Sequence, residues 1–328
     1  MSTNRIVSID SGVVMVVTDL HGDWPLYCRY RDVFLGLRAR GLADTLLFTG
    51  DLIHNEGPAE SDRSVEIVLD LLELREELGN ALVVLLGNHE VAHIYPFVLA
   101  KGDFLYSPRF EHALGLYHDA IVNFFDALPF YARTRGGVAL CHAGAFPQAA
   151  DPAMMASLRA YSHRDVLRWG ASRIPRERLP ELSEAVAAES GIPYDIQAWE
   201  NFAVADPEDP RYYDNLIGEL AMAHPHFDLL WTALFNRNEA DYGEDNYAYH
   251  LTALLRALSE DYASQRILVT GHMRCPNGYR IVAGGGQLRL ASGDHARPYQ
   301  SARYLLFDAA KPARMVDLVG GLGSVFGK

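Results

Sequence analysis

The chain alternates apolar runs with polar turns in a repeating order. Residues 13–18 form a short β-branched run that ends in Asp19-Leu20-His21-Gly22-Asp23. Residues 24–40 follow with apolar positions at Tyr27, Tyr30, Val33, Phe34 and Leu37. That spacing of three and four predicts an amphipathic helix, and Gly41 marks its stop. Residues 45–49 predict a second strand, ending in Gly50-Asp51. Beyond a Gly57-Pro58 loop, Ser61 or Asp62 is placed to cap a helix reaching Leu78, with Val65, Val68, Leu69 and Leu72 on one face. Gly79-Asn80 closes it, and Val83-Val84-Leu85-Leu86 runs into Gly87-Asn88-His89-Glu90. A continuous apolar run fits a strand covered on both faces, and the β-α-β-α-β order implies a parallel sheet flanked by helices.

The later chain is less regular. Residues 91–129 have a helical pattern interrupted at Gly102-Asp103 and Ser107-Pro108, and no element is assigned there. Residues 137–140 predict a strand ending in Cys141-His142-Ala143-Gly144. Over residues 146–225 proline and charge rise, Trp169 and Trp199 stand apart, and a helical segment at 180–189 lies between Pro175 and Pro193. This stretch reads as a mainly helical cap inserted within a single domain spanning 1–328. Helical packing resumes over 247–262, and a strand at 266–270 ends in Gly271-His272. Short runs at 279–282, 287–290, 304–307 and 313–318 suggest strands of an antiparallel second sheet.

Composition narrows the class. A hydrophobic share of 49% is ample for a core, and no apolar run reaches the roughly 18 residues of a membrane span. Residues 1–10 lack the basic start and apolar centre of a secretory signal, so a cytoplasmic protein with no membrane partner is expected. Cys28, Cys141 and Cys275 form no close pair, which argues against a disulfide framework and a thiolate zinc site. The net charge of −13 argues against long nucleic acids as partners.

The chemistry lies at the strand ends. Five apolar strands end at Asp19 and His21, Asp51, Asn88 and His89, His142, and His272, and one parallel-type sheet would gather all five ends. Carboxylate, imidazole and amide oxygen suit a borderline divalent metal, and this many ligands suit two metals sharing a carboxylate. Two ions about 3.5–4 Å apart can hold a bridging hydroxide and clamp a phosphoryl group for in-line attack. His54 and His295 are further candidates to lie near the site, whereas His93, His112, His118, His163, His224, His226 and His250 read as ordinary core or surface groups.

The blocks TDLHGD, GDLIHNEG, GNHE, CHAG and TGHM resemble, in order, those of the calcineurin-like metallophosphoesterases, in particular the bacterial members of the phosphoprotein phosphatase (PPP) family. Weaker likenesses are Asp228-Leu229-Leu230-Trp231 and Leu290-Ala291-Ser292. The resemblance implies an α/β fold, a two-sheet β-sandwich flanked by helices. It also implies two divalent metal ions, manganese foremost with iron or zinc as options. Asp19, His21 and Asp51 would hold one ion, and Asp51, Asn88, His142 and His272 the other. His89 would protonate the leaving oxygen and Glu90 would anchor its loop. The implied activity is that of a phosphomonoester hydrolase, foremost a protein serine/threonine phosphatase. The alternatives are a hydrolase of diadenosine tetraphosphate or small phosphomonoesters, with the aromatic-rich insert stacking a base, and a non-catalytic phosphate-binding scaffold. Where the family continues its second block with Asp-Arg-Gly, this chain has His54-Asn55-Glu56. Asp62-Arg63, at the start of the next helix, is one way to return the missing pair through a longer loop. Arg237 and Arg274 are the other arginines expected to grip phosphate, since a guanidinium donates two parallel hydrogen bonds to it.

Overall fold

The computed structural model describes residues 5–326, so the first four positions of the stretch read for a signal lie outside it. Strands β1 (Ile6–Ile9) and β2 (Val13–Val17) lead through helix α1 (Trp24–Ala39) to β3 (Thr45–Phe48), and α2 (Ser64–Leu78) leads to β4 (Leu82–Val84). Asp23 caps α1, its Oδ1 accepting the Leu26 N–H at 3.0 Å. Helix α2 starts at Ser64, and Asp62 Oδ1 accepts the Ser64 N–H at 3.1 Å. Helix α3 (Asn88–Ile94) begins directly after the β4 run. The unassigned stretch then resolves into a hairpin of β5 (Ala100–Lys101) and β6 (Phe104–Leu105), followed by α4 (Ser107–Leu114) and α5 (His118–Asp126). Strands β7 (Tyr131–Thr134) and β8 (Val138–Cys141) come next.

Residues 146–225 carry α6 (Pro152–Arg159), α7 (His163–Ala171), α8 (Leu179–Ser190), α9 (Tyr194–Phe202) and α10 (Asp214–Met222). Helices α11 (Pro225–Leu234), α12 (Glu239–Tyr242) and α13 (Glu244–Ser259) follow. The chain then returns through β9 (Ile267–Thr270), β10 (Cys275–Pro276), β11 (Tyr279–Val282), β12 (Gln287–Leu290), β13 (Ala296–Arg297), β14 (Tyr304–Asp308), helix α14 (Met315–Gly320) and β15 (Leu322–Gly323). The run at 313–318 is therefore helical in its second half and not a strand. Arg314 Nε donates to Asp317 Oδ2 at 2.6 Å across one turn, and an apolar run that short does not distinguish the two periods.

Two sheets carry the fold. One has the order β15-β14-β2-β3-β4, with β2, β3 and β4 parallel as the β-α-β-α-β order predicts. The other has the order β1-β7-β8-β9-β12-β11, with β8, β9 and β12 parallel. The tail strands do not form a separate antiparallel sheet: β14 and β15 extend the first, and β11 and β12 extend the second. The reason is alternation. Val14 and Val16 of β2 share a buried cluster with Leu47, Val83, Leu140, Val269 and Leu288, which is the seam between the sheets. Met15 and Val17 point the other way, into the cluster formed with Tyr27, Phe34 and Val68 under the helices. Each central strand is thus covered on both faces, as its continuous apolar run requires. Among the described residues no helix is long and apolar enough to cross a membrane.

The carboxyl ends of β3 and β4 cross closely. A Cβ on Gly50, at φ +98°, would lie 2.4 Å from Gly87 N, and one on Gly87 would lie 2.3 Å from Asp51 Oδ1. Gly87→Ala is therefore expected to cost on the order of 1–3 kcal/mol by overpacking, read as a lower thermal midpoint. An unchanged midpoint would show that the crossing tolerates a side chain.

Candidate metal centre

The five strand ends do converge, at the rim shared by the two sheets and not along one sheet. Asp19, His21, Asp51 and His272 hold their positions with positive φ, at 46°, 46°, 52° and 64°. Non-glycine residues pay strain for that conformation, and it turns each side chain back over the strand end it follows. Hydrogen bonds lock the turns: the His272 N–H donates to Asp19 Oδ1 at 2.7 Å and the His89 N–H to Asp51 Oδ1 at 3.1 Å. Glu90 accepts from the N–H groups of Gly87 at 3.0 Å, Asp51 at 3.1 Å and Leu52 at 2.8 Å. Thr18 and Ser292 tie β2 to the end of β12, the Thr18 N–H donating to Ser292 Oγ at 3.0 Å.

Three groups of donor atoms lie within 4.8 Å of one another: Asp51 with His142 and His272, His21 with Asp51 and His89, and Asp19 with His21 and His295. Around His142 Nε2 stand Asn88 Oδ1 at 2.9 Å, His272 Nδ1 at 3.0 Å and Asp51 Oδ2 at 3.4 Å. The other nitrogen, His142 Nδ1, lies 3.0 Å from Thr49 O, so its N–H is committed to that carbonyl and the Nε2 lone pair faces the cluster. His21 is held the same way, with Nδ1 3.3 Å from Ile53 O. Asp19 Oδ2, His21 Nε2 and His295 Nδ1 are buried without a hydrogen-bond partner.

The electrostatics ask for positive charge. Burial pushes the Asp19 pKa up to about 6, with Asp51 adding to it against His142 and His21. Burial also opposes charge on His142, but Asp51 and Asp19 outweigh it and push its pKa up to about 9. Burial pulls His272 down to about 3, favouring the neutral imidazole that a metal ligand needs, and pulls His89 beside it down to about 3 as well. Buried carboxylates, neutral imidazoles and orphaned lone pairs aimed at common points fit divalent cations.

All six residues expected to hold metal, Asp19, His21, Asp51, Asn88, His142 and His272, are brought together here, with His89 beside them. His295 joins the Asp19 side, its Nδ1 3.6 Å from Asp19 Oδ1, as an additional donor. A cleft of about 1010 Å³ opens over the group, lined among others by His89, Lys101, Tyr106, Phe235, Arg237, Arg274 and His295. Arg274 is exposed there with no ion pair among the described residues, whereas Arg237 pairs with Asp241 at 3.0 Å.

Arg63 is a correction: it does not line the cleft, and its Nε lies 2.6 Å from Glu66 Oε1 on the first turn of α2. Asp62 is spent on the helix start, so the longer loop does not return an Asp-Arg pair. The insert is mainly helical, but no residue of 146–225 lines the cleft, so its aromatics are not placed to stack a base there. Its aromatic surface is used for packing instead: Tyr161 meets Tyr95 and Phe130, and Trp199 meets His112 of α4. Nothing in the sequence placed Lys101, Glu56 and Tyr106 together at the cleft, which all three line. Lys101 Nζ and Tyr106 Oη both donate to Glu56 Oε1, at 2.5 Å and 2.6 Å, which fixes the hairpin β5–β6 over the cleft. In place of the expected aspartate, His54 Nδ1 lies 3.0 Å from His89 Nδ1.

A family model described as calcineurin-like phosphoesterase matches residues 12–242. No curated protein sequence matches the chain significantly. Similar solved structures include a protein serine/threonine phosphatase from Saccharomyces cerevisiae, 13% identical, with 97% of this chain and 82% of that one covered and a TM-score of 0.48. A cold-active protein-tyrosine phosphatase from a psychrophilic Shewanella is 12% identical over 93% and 78%, with a TM-score of 0.46. A metallophosphoesterase from Sphaerobacter thermophilus is 14% identical over 95% and 92%, with a TM-score of 0.39. These similarities are too distant to bear on substrate.

Asp51→Asn is expected to lower bound metal from about two ions per chain to one or fewer, because the carboxylate faces both groups. His295→Ala is expected to release one ion and spare the other. Elemental analysis after dialysis checks both, and undiminished metal in Asp51→Asn would remove Asp51 from the ligand set.

Proposed function

We propose that this chain, which belongs to the calcineurin-like phosphoesterase family, is a two-metal phosphomonoesterase that acts on phosphoserine and phosphothreonine in proteins. The observation that carries the reading is the convergence of two carboxylates, an amide and five imidazoles at and beneath the floor of one cleft that also presents arginines. Asp19, His21 and Asp51, with His295, would hold one ion, and Asp51, Asn88, His142 and His272 the other; manganese is the first choice. Bound there, such ions supply a water-derived nucleophile at neutral pH and neutralise charge on the phosphoryl oxygens.

The remaining roles belong to the chain. Arg274, exposed and unpaired at the cleft wall, donates to the phosphate oxygens from one side, and Arg237 can join it by leaving Asp241. His89 turns Nε2 toward the cleft floor, 3.9 Å from Asp51 Oδ2, where a proton on it reaches a leaving oxygen. Glu90 holds the loop that carries both Asn88 and His89. The reaction is direct displacement at phosphorus, with positioning and charge stabilisation supplying the acceleration.

An open cleft suits a phosphorylated side chain on a protein surface. One feature favours a second reading: Phe235, exposed at the cleft and edge-on to His272 at 5.6 Å, offers an aromatic face on which the base of a dinucleoside polyphosphate could stack. Turnover of 4-nitrophenyl phosphate with added manganese, followed by phosphopeptides against diadenosine tetraphosphate, decides between them. Cleavage of the nucleotide alone would overturn the protein phosphatase reading, and no turnover with any divalent metal would overturn both. Arg274→Ala is expected to raise KM on the order of ten-fold or more, the scale of a charged hydrogen bond, whereas Arg63→Ala leaves kcat and KM unchanged. Steady-state kinetics on a phosphopeptide checks both.

A further inference from the structure

Arg237 reaches the cleft from the loop that joins α11 to α12. The next residue, Asn238, is buried, with φ 57° and ψ −117°. A non-glycine residue is strained in that conformation, and Asn238 Oδ1 is also buried without a hydrogen-bond partner. The other end of the amide holds it there. Asn238 Nδ2 donates to Ala143 O at 3.1 Å and to Met273 Sδ at 3.5 Å. Ala143 follows His142 and Met273 follows His272, so one side chain ties the α11–α12 loop to the turns after β8 and β9.

The fit is close. A Cβ on Gly144 would lie 1.8 Å from Asn238 Oδ1, so only glycine at the end of the Cys141-His142-Ala143-Gly144 turn leaves room for the amide. Asn236, also buried, supports it from within the loop: its Oδ1 accepts the Asn238 N–H at 3.2 Å, and its Nδ2 donates to Thr232 O of α11 at 3.1 Å. A second anchor follows at once. Arg289 of β12, buried, grips Glu239 with two hydrogen bonds, Nη1 to Oε1 at 2.9 Å and Nη2 to Oε2. The loop therefore alternates: Phe235 and Arg237 are exposed at the cleft, and Asn236 and Asn238 are buried beneath them.

We propose that Asn238 is a positioning residue for Arg237: its amide clasps the loop to the turns after β8 and β9 and so fixes where the guanidinium meets phosphate. The inference rests on Arg237 gripping phosphate. Glycine at 238 would relieve the backbone strain and remove the orphaned oxygen together, so the backbone alone does not call for asparagine. The amide supplies the fixed geometry. With the residues on both sides of Arg237 held, its side chain has only to exchange Asp241 for the anion, and less freedom is lost on binding.

The split between binding and turnover tests this. The readouts are KM on a phosphopeptide, the inhibition constant of inorganic phosphate against 4-nitrophenyl phosphate, bound metal and the thermal midpoint. Asn238→Gly removes the clasp and suits the backbone conformation, while the Glu239–Arg289 pair keeps α12 on its sheet. It is expected to raise KM and the phosphate inhibition constant on the order of ten-fold, the scale of a charged hydrogen bond, with kcat lowered less than about threefold and bound metal unchanged. Unchanged constants, or a loss confined to kcat, would overturn the proposal. Loss of metal would overturn it too, because the clasp would then act on His142 and His272. Asn238→Ala answers if the glycine variant is too loose to fold: the same rise is expected, with a lower thermal midpoint. In an Arg237→Ala background, Asn238→Gly is expected to change either constant by less than about twofold, since the group it positions is gone. A further ten-fold rise there would sink the assignment to Arg237. Arg237→Ala alone separates the premise: if it raises neither constant, the grip assigned to Arg237 fails and this inference with it. If it raises both and Asn238→Gly raises neither, the clasp alone fails.

Discussion

Everything at this site hangs on one buried carboxylate. Glu90 has no exposure, and its two oxygens accept from the backbone N–H groups of Gly87, Asp51 and Leu52, joining the turn after β3 to the start of α3. Burial and the neighbouring Asp51 push its pKa up to about 7, against the pull of those N–H groups. A charge placed there is costly unless its hydrogen bonds are complete, and here three backbone donors meet it. The same grip fixes Asp51 on one side and Asn88 and His89 on the other. Gly50 and Gly87 allow it, because any side chain at either would fall on the opposing backbone.

The site sits where two sheets meet, and that placement explains its strain. Strands β2, β3 and β4 deliver Asp19, His21, Asp51 and Asn88 from one sheet, while β8 and β9 deliver His142 and His272 from the other. The seam between them is packed with Val14, Val16, Leu140 and Val269, so the sheets cannot slide to ease the fit. The left-handed turns at Asp19, His21, Asp51 and His272 absorb the mismatch instead. The Thr18 and Ser292 pair closes the same rim from a third strand, β12.

Replacing Asp-Arg-Gly with His54-Asn55-Glu56 redistributes its duties and does not abandon them. His54 keeps the contact to His89 that the resemblance assigns to the aspartate. Asn55 Nδ2 donates to His21 O at 2.9 Å, and Glu56 anchors Lys101 and Tyr106 of the hairpin. No cation stands in register for the arginine. Arg274, from the loop after β9, lines the cleft with no ion pair among the described residues, so the anion grip we propose would come from the opposite sheet.

The pattern along the chain was enough for the five strands that end at the site, the parallel order of β2, β3 and β4, and the residues gathered at their ends. Those are local properties: a continuous apolar run requires cover on both faces, and a polar turn after it must stand at the sheet edge. Tertiary structure decided the rest. Whether β11, β12, β14 and β15 make their own sheet depends on which strand edges they pair with: β14 joins β2 from nearly the other end of the chain, while β12 joins the nearby β9. Arg63 and Arg274 look alike in a string of letters, but Glu66, one helical turn on, holds the first, while among the described residues no ion pair holds the second. Glu111 gave no sign of its contact with His93, because a carboxylate comes to the end of a histidine line only when three separate segments are folded around the same apolar side chains.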